Sequence, residues 1–361
     1  MNDMDKLKRT PLYDAHVRAG GRMVPFSGWE MPVQYTGILE EHLHTRSAVG
    51  IFDICHMGEF VLSGPNAFSD VDRLVTCDMS GLVPGKCKYG FLLNEDACMI
   101  DDLIVFRTGI EEIMLVVNAG TISGDADWIK RRISRGTVFN DISAGTAKID
   151  IQGPLAPSVM DRYFEANISS ELKRFNFKII EKEGERGIIS ATGYTGEKGY
   201  ELFIPSRNAE SSWEKLLSYE NVKPAGLGAR DSLRLEMGYP LYGHDIDPTH
   251  TPFEAGLMRF VDMKKDFIGR KKLADEEKSG AARVLTGFIA DSRRSAREGF
   301  VVKKDGKDIG VVTSGVFSPC LKKGIGLFYI DRAYSGENTQ VVLSGGNVEI
   351  SAVVNKPPFV R

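Results

Sequence analysis

Residues 272–283, KLADEEKSGAAR, separate two stretches of chain that cannot share one folding pattern. Beyond this charged helix end the apolar runs are short: VLTGFIA, FVVKKDGKDIGVVTSG, IGLFYI and TQVVLSGGNVEISAVV. Such runs, rich in Val and Ile and bounded by glycine, read as strands. In KKDGKD an Asp-Gly pair supplies the positive φ of a tight hairpin turn. Residues 282–361 therefore read as a small β-barrel. Before the break, strands and helices alternate irregularly, with no repeat and no low-complexity tract, so residues 1–275 read as α+β.

In that first part, EEHLHTRSAVGIF (40–52) has helical spacing and places Gly50 where a C-cap would fall. GEFVLSG (58–64) and EIMLVVNAG (112–120) read as strands. Ser123 or Asp125 opens a helix carrying Trp128, Ile129 and Ile133 on its inner face. GIISATGYTGEKGYELFIP (187–205) is strand, glycine-rich loop, strand, and GARDSLRLEMGY (228–239) is a short helix.

A chain of 361 residues is too long for one ordinary core. With 46 basic and 49 acidic residues the net charge is −3, which gives no electrostatic case for nucleic acid or an anionic membrane. No apolar stretch reaches spanning length, and MNDMDKLKRTPLYDAHVRAGG has neither a signal core nor the acid-poor character of a transit peptide. Five scattered cysteines without a CxxC fit a reducing compartment, and no disulfide framework or metal site is expected. The expected location is the cytoplasm.

Four stretches carry candidate chemistry. NEDACMIDDLIVF (94–106) reads as a hairpin whose second strand holds Asp101 and Asp102 among Met, Ile, Leu, Val and Phe. An acid is almost never buried without a partner, and strand alternation sends the two to opposite apolar faces; parity does not say which is structural and which faces a ligand. ATGYTGEKGYEL (191–202) sets Tyr194 in a loop punctuated by three glycines, with Glu201 in the next strand. Walker A and GxGxxG patterns are both absent, so this is no phosphate loop. AGLGARDSLRLE (225–236) offers Arg230, either paired with Asp231 or Glu236 or aimed at a carboxylate or carbonyl group of a ligand. In FDICHMGEF (52–60) His56 has no second ligand at metal spacing and reads as a packed histidine.

These stretches, together with RTPLYDAHVRAGGRMVPFSGWEMPVQY, VVNAG, QGP, LYGHDID, TPFEAGL and IGVVTSGVFSPCLKKGIGL, occur in the order found in the aminomethyltransferase family, the T-proteins of the glycine cleavage system. The resemblance runs from about residue 8 to about residue 359. It implies an α+β, three-domain folate-binding architecture around a central opening. Two interleaved domains, roughly 1–52 plus 140–228 and 53–139 plus 229–275, would precede the C-terminal β-barrel. It also implies the reaction: a methylene carbon passes from the aminomethyl-dihydrolipoyl arm of lipoylated H-protein to tetrahydrofolate, ammonia leaves, and 5,10-methylenetetrahydrofolate forms. Carried across residue by residue, the catalytic aspartate falls on Asp102, and pocket positions fall on Met57, Tyr89, Asn118, Tyr194, Glu201 and Arg230.

Pterin is a flat ring with a donor–acceptor edge. Tyr194, Met57 and Tyr89 suit its faces; Glu201 and Asn118 suit its edge. Three departures from the family pattern stand out: Ala97-Cys98 in place of Gly-Gly, Cys55 in place of serine, and Ala191 in place of arginine. The first is expected to strain any turn that needs positive φ. Relatives with other chemistry fit less well. Oxidases of methylated glycines carry a flavin-binding GxGxxG, and iron–sulfur assembly factors carry a KGCYxGQE signature where this chain has AGLGARDSLRLE. A stand-alone sulfonium demethylase shares more of the pattern and is the alternative enzyme.

Overall fold

The computed structural model describes residues 7–182 and 184–360, so the leaderless reading of the N-terminus falls partly outside the described residues. The chain forms two compact units. The first takes the chain up to Asp72, then Met79–Gly90 and Leu103–Arg230; the second takes Arg73–Asp78, Phe91–Asp102 and the chain from Asp231 onward.

The first unit is built on a six-stranded sheet, in the order Phe177–Lys182, Glu185–Ser190, Gly199–Pro205, Thr146–Gln152, Val49–Asp53, Val222–Pro224. Every pairing is antiparallel except the last, where Val222–Pro224 runs alongside Val49–Ile51. One face is apolar because Ala147, Ile149 and Ile151 alternate with polar residues in TAKIDIQ, while Tyr200 and Leu202 do so in GYELFIP. Two helices cover that face. Ala156–Phe164 buries Ala156, Val159, Met160 and Tyr163 at i, i+3, i+4 and i+7, and Ala209–Leu217 buries Ala209, Trp213 and Leu216. Each large side chain buried there contributes roughly 1.5–3 kcal/mol.

A five-stranded sheet runs Cys87–Leu93, Met99–Phe106, Glu112–Val117, Gly58–Ser63, Val138–Asp141. In the second unit six strands close into a barrel: Arg283–Ala290, Lys323–Asp331, Lys307–Ser318, Val301–Lys304, Gln340–Gly345 and Val348–Val354, the last pairing back onto the first. Phe288 and Phe328 stack inside it at 5.3 Å, among Val302, Val312, Leu343 and Ile350. The KKDGKD hairpin is present, with Asp305 at φ 50° and Gly306 at φ 75°. The α+β class with a terminal barrel is therefore as expected.

Two local expectations shift. The helix read from EEHLHTR spans Ile38–Ser47 and hands over at Ala48, so Gly50 lies within the strand Val49–Asp53 rather than capping a helix. The helix expected to open at Ser123 or Asp125 begins at Ile122 and ends at Lys130, which leaves Ile133 beyond it. No helix among the described residues is long and apolar enough to cross a membrane.

Candidate functional site

The face of the six-stranded sheet opposite the helices carries the polar half of the alternation. Cross-strand neighbours share a face, and the register pairs Glu201 with Asp150, Phe203 with Lys148, and Gly199 with Gln152. Of the polar residues of TAKIDIQ, Lys148, Asp150 and Gln152 are buried and Thr146 is half-buried. Each charged one has an opposite partner, as burial demands. Lys148 Nζ lies 3.5 Å from Glu201 Oε1, 3.6 Å from Met57 Sδ and 5.0 Å from the Phe203 ring centre. Thr192 Oγ1 donates to Glu201 Oε2 at 2.5 Å, so it accepts from Ser190 Oγ, 2.6 Å away. Glu201 is thus gripped from both sides.

Arg230, from the helix Leu227–Glu236, donates through Nη1 to Asp150 Oδ2 at 2.5 Å. Burial pushes the Asp150 carboxyl up to about 6; Arg230 pulls it down, and facing Glu201 adds repulsion. The guanidinium also lies over the Tyr194 ring at 5.0 Å. Gln152 Nε2 donates to Asp150 Oδ1 (2.6 Å) and Thr192 O (3.1 Å), and its Oε1 accepts from Thr195 Oγ1 at 2.7 Å. This amide explains two loop glycines: a Cβ at Gly193 or at Gly199 would meet the Gln152 side chain at 2.1 Å. Arg46 pins the same loop from outside, donating to Thr195 O at 2.6 Å and Glu197 Oε1 at 2.9 Å.

The strand opened by HMGEF adds Glu59, 1% exposed, whose Oε1 has no hydrogen-bond partner among the described residues. Burial pushes its carboxyl up to about 8, against the pull of Lys148. His56 packs edge-on to Phe26 at 5.5 Å, and burial drives its imidazole down to about 4, so it is neutral at pH 7. Behind them Asp53 accepts from Thr10 Oγ1 (2.6 Å) and the Cys55 amide (2.8 Å) and pairs with His16 Nε2 (2.8 Å). Burial works against the Asp53 charge, but these partners prevail and hold the carboxyl below its ordinary range. Cys55, in place of serine, bridges strands: its Sγ donates to Lys148 O at 3.4 Å and accepts from Lys148 N at 3.2 Å.

Of the expected residues, Met57, Glu201, Tyr194 and Arg230 come together in the first unit around Lys148 and Asp150. Arg230 pairs with neither Asp231 nor Glu236, the two local options. Asp231 takes Arg234 at 2.7 Å, and Glu236 accepts from Ser318 Oγ at 2.5 Å. Tyr89 is half-buried in Cys87–Leu93, and half-buried Asn118 follows Glu112–Val117, with its carbonyl capped by the Thr121 amide and hydroxyl.

Asp102 belongs to the second unit. Strand Met99–Phe106 shows which of the two acids is the more deeply buried. Met99, Asp101, Leu103 and Val105 form a buried face, with Asp101 wholly inaccessible, whereas on the other face Ile100, Asp102 and Ile104 are half-buried and Phe106 is buried. The Tyr242 hydroxyl donates to Ile100 O and fixes the backbone beside the acids. The preceding turn keeps its positive φ: Ala97 sits at φ 67°, and Asn94 Oδ1 accepts from the Asp96 and Cys98 amides at 3.0 and 2.9 Å.

Lys148, Asp150, Gln152 and Glu59 were not singled out from sequence. The signal was there in TAKIDIQ, where strict alternation puts Lys, Asp and Gln on one strand face.

The comparisons with known proteins agree along the whole chain. Residues 12–265 match the family model described as GCVT N-terminal domain, and residues 283–361 match the glycine cleavage T-protein C-terminal barrel domain. An aminomethyltransferase from Thermotoga sp. (strain RQ2) is 42% identical, covering 98% of each chain. One from Halothermothrix orenii is 40% identical over 98% of this chain and 100% of its own. The crystal structure of glycine cleavage system aminomethyltransferase T from Bartonella henselae superposes with a TM-score of 0.93 at 35% identity, covering 98% of each chain.

Proposed function

The chain belongs to the aminomethyltransferase family, the T-proteins of the glycine cleavage system, and from that premise we propose the following substrates and roles. The donor is the aminomethyl group on the dihydrolipoyl arm of H-protein. The acceptor is tetrahydrofolate, and the products are ammonia and 5,10-methylenetetrahydrofolate. Whole-length kinship with aminomethyltransferases is the observation that carries this reading.

In the transfer, the carbon–sulfur and carbon–nitrogen bonds of the aminomethyl group break and bonds to two folate nitrogens form. Positive charge develops on the carbon as it leaves sulfur; of the two protons the folate nitrogens give up, one goes to the departing nitrogen to make ammonia and the other restores the free thiol of the dihydrolipoyl arm. Asp102, half-buried on its strand, suits both needs: its carboxylate stabilises an iminium-like carbon and orients the attacking nitrogen. Glu201, gripped by Lys148 and Thr192, accepts hydrogen bonds from the amino-pyrimidinone edge of the pterin. Met57, Tyr89, Tyr194 and Asn118 line the ring. Arg230, already committed to Asp150, serves to hold Tyr194 and the sheet face more than to grasp the anionic folate tail.

The reading carries with it the family's domain division. Residues 1–52 plus 140–228 and 53–139 plus 229–275 would form interleaved folate-binding domains, before a barrel at 282–361. The segregation of strands 49–53 and 146–224 into one sheet, and 58–141 into another, supports it. Five cysteines present as thiols support the cytoplasm. The deciding experiment mixes the purified protein with aminomethyl-loaded H-protein and tetrahydrofolate and follows ammonia. Release well above the protein-free rate is expected; release at that rate removes the assignment.

A further inference from the structure

The sheet face that carries Glu201 holds an arrangement that ought to be unstable. Glu201 and Asp150 are direct cross-strand partners on one buried face, and like charges so placed repel. Two cations are set against them, each on a different acid: Arg230 on Asp150 at 2.5 Å and Lys148 on Glu201 at 3.5 Å. The two cations are not equivalent. Arg230 enters from a helix, and its side chain keeps 15% of its exposure. Lys148 rises from the strand itself and is 1% exposed. It is enclosed by Met57 and Phe203, with almost none of its side chain open to solvent. Nearby Glu59, buried with one oxygen unpartnered among the described residues, feels the same ammonium but forms no ion pair with it, so Glu201 is the acid that Lys148 touches.

We propose that Lys148 is a positioning residue for the folate substrate, acting only through Glu201. Its ammonium balances the Glu201 charge against Asp150 and fixes one carboxylate oxygen while Thr192 fixes the other. The lone pairs left over then point in one direction, toward the donor edge of the bound ring. The inference rests on the reading of Glu201 as the acceptor for that edge.

A double-mutant cycle on the full chain tests it, with dissociation constants for tetrahydrofolate from anaerobic titration calorimetry and ammonia release as the turnover readout. Lys148→Met, of similar length but uncharged, is expected to weaken folate binding about tenfold or more, the scale of losing a charge-assisted contact, with turnover at saturating folate within about threefold of wild type. Glu201→Gln is expected to weaken binding similarly. The double variant should bind no worse than Glu201→Gln alone, and Lys148→Arg should retain binding within about threefold. A purely structural lysine would instead give losses that multiply in the double variant, which overturns the proposal while leaving Glu201 in its role. Unchanged binding in Lys148→Met also overturns it. Unchanged binding in Glu201→Gln removes the Glu201 reading and the Lys148 proposal together. If Lys148→Met does not yield folded protein, Lys148→Gln takes its place in the same cycle.

Discussion

Asp101 and Asp102 are neighbours in sequence that live in different media. Asp101 is shut inside a strand face shared with Met99, Leu103 and Val105, while Asp102 is half-buried. Their substitutions should therefore fail differently. Asp102→Asn is expected to keep folate binding and lose on the order of a hundredfold or more in turnover, the usual scale of a positioned acid–base group. Asp101→Asn is expected to cost roughly 1–3 kcal/mol of stability with turnover of the folded fraction intact. Denaturant melts and ammonia release separate the two, and the opposite pattern would mean that the roles are reversed. The pair was legible in the sequence as an anomaly, but alternation alone did not choose between its members; the choice of Asp102 came from the family resemblance. Alternation says that two successive side chains diverge; only the packing of the sheet says which side is closed. Lys148 and Asp150 were harder still, because a buried charge is recognisable only once its partner, 53 residues away for Lys148 and 80 for Asp150, has been brought to it.

At the level of elements, hairpins and loops were the most legible, since their chemistry is local. Asp-Gly at 305–306 gave the turn it promised. The hairpin before the acid pair shows what a missing glycine costs. Ala97 holds φ 67°, a left-handed conformation that disfavours a side chain by about 1–2 kcal/mol, offset by the two amides that Asn94 gathers. Ala97→Gly is expected to raise stability by up to about 1 kcal/mol, read as a shift in the urea midpoint. In the loop above Glu201 the reverse holds. Gly199→Ala would push against the Gln152 amide at 2.1 Å and break its bonds to Asp150, Thr192 and Thr195. The expected result is a loss of about 1–3 kcal/mol and weaker folate binding in a binding titration. Helix ends were least legible. Gly50 looked like a cap because it follows a polar helical pattern, yet the chain passes directly from Ser47 through Ala48 into a buried strand.

For the whole molecule, two buried titratable groups set limits on either side of neutrality. Glu59, pushed up to about 8 by burial, keeps its proton in the folded state while an unfolded glutamate releases it near its ordinary 4.5. Stability must then fall as pH rises through that window, by up to about 1.4 kcal/mol per unit, and level off above pH 8. Glu59→Gln is expected to remove this slope, so that its advantage over wild type grows between pH 5 and 8 in chemical denaturation. His56 acts in the opposite sense. Burial holds it down to about 4, so an unfolded histidine takes up a proton near 6.5 while the folded one does not. Stability therefore falls as pH drops from 6.5 to 4, and His56→Gln should flatten that side. Neither limit could be read from the sequence, because both arise from how completely the surrounding strands exclude water.

The segment TAKIDIQ has one further consequence. Its odd-numbered side chains hold the hydrophobic interior and its even-numbered ones hold the charged site, on opposite sides of a single ribbon. Removing one residue there, or sliding its pairing by one, would exchange the two sets in a single step, thrusting an ammonium and a carboxylate against Trp213 and turning isoleucines onto the charged face. A chain that has mispaired here therefore loses its packed interior and its charged face together.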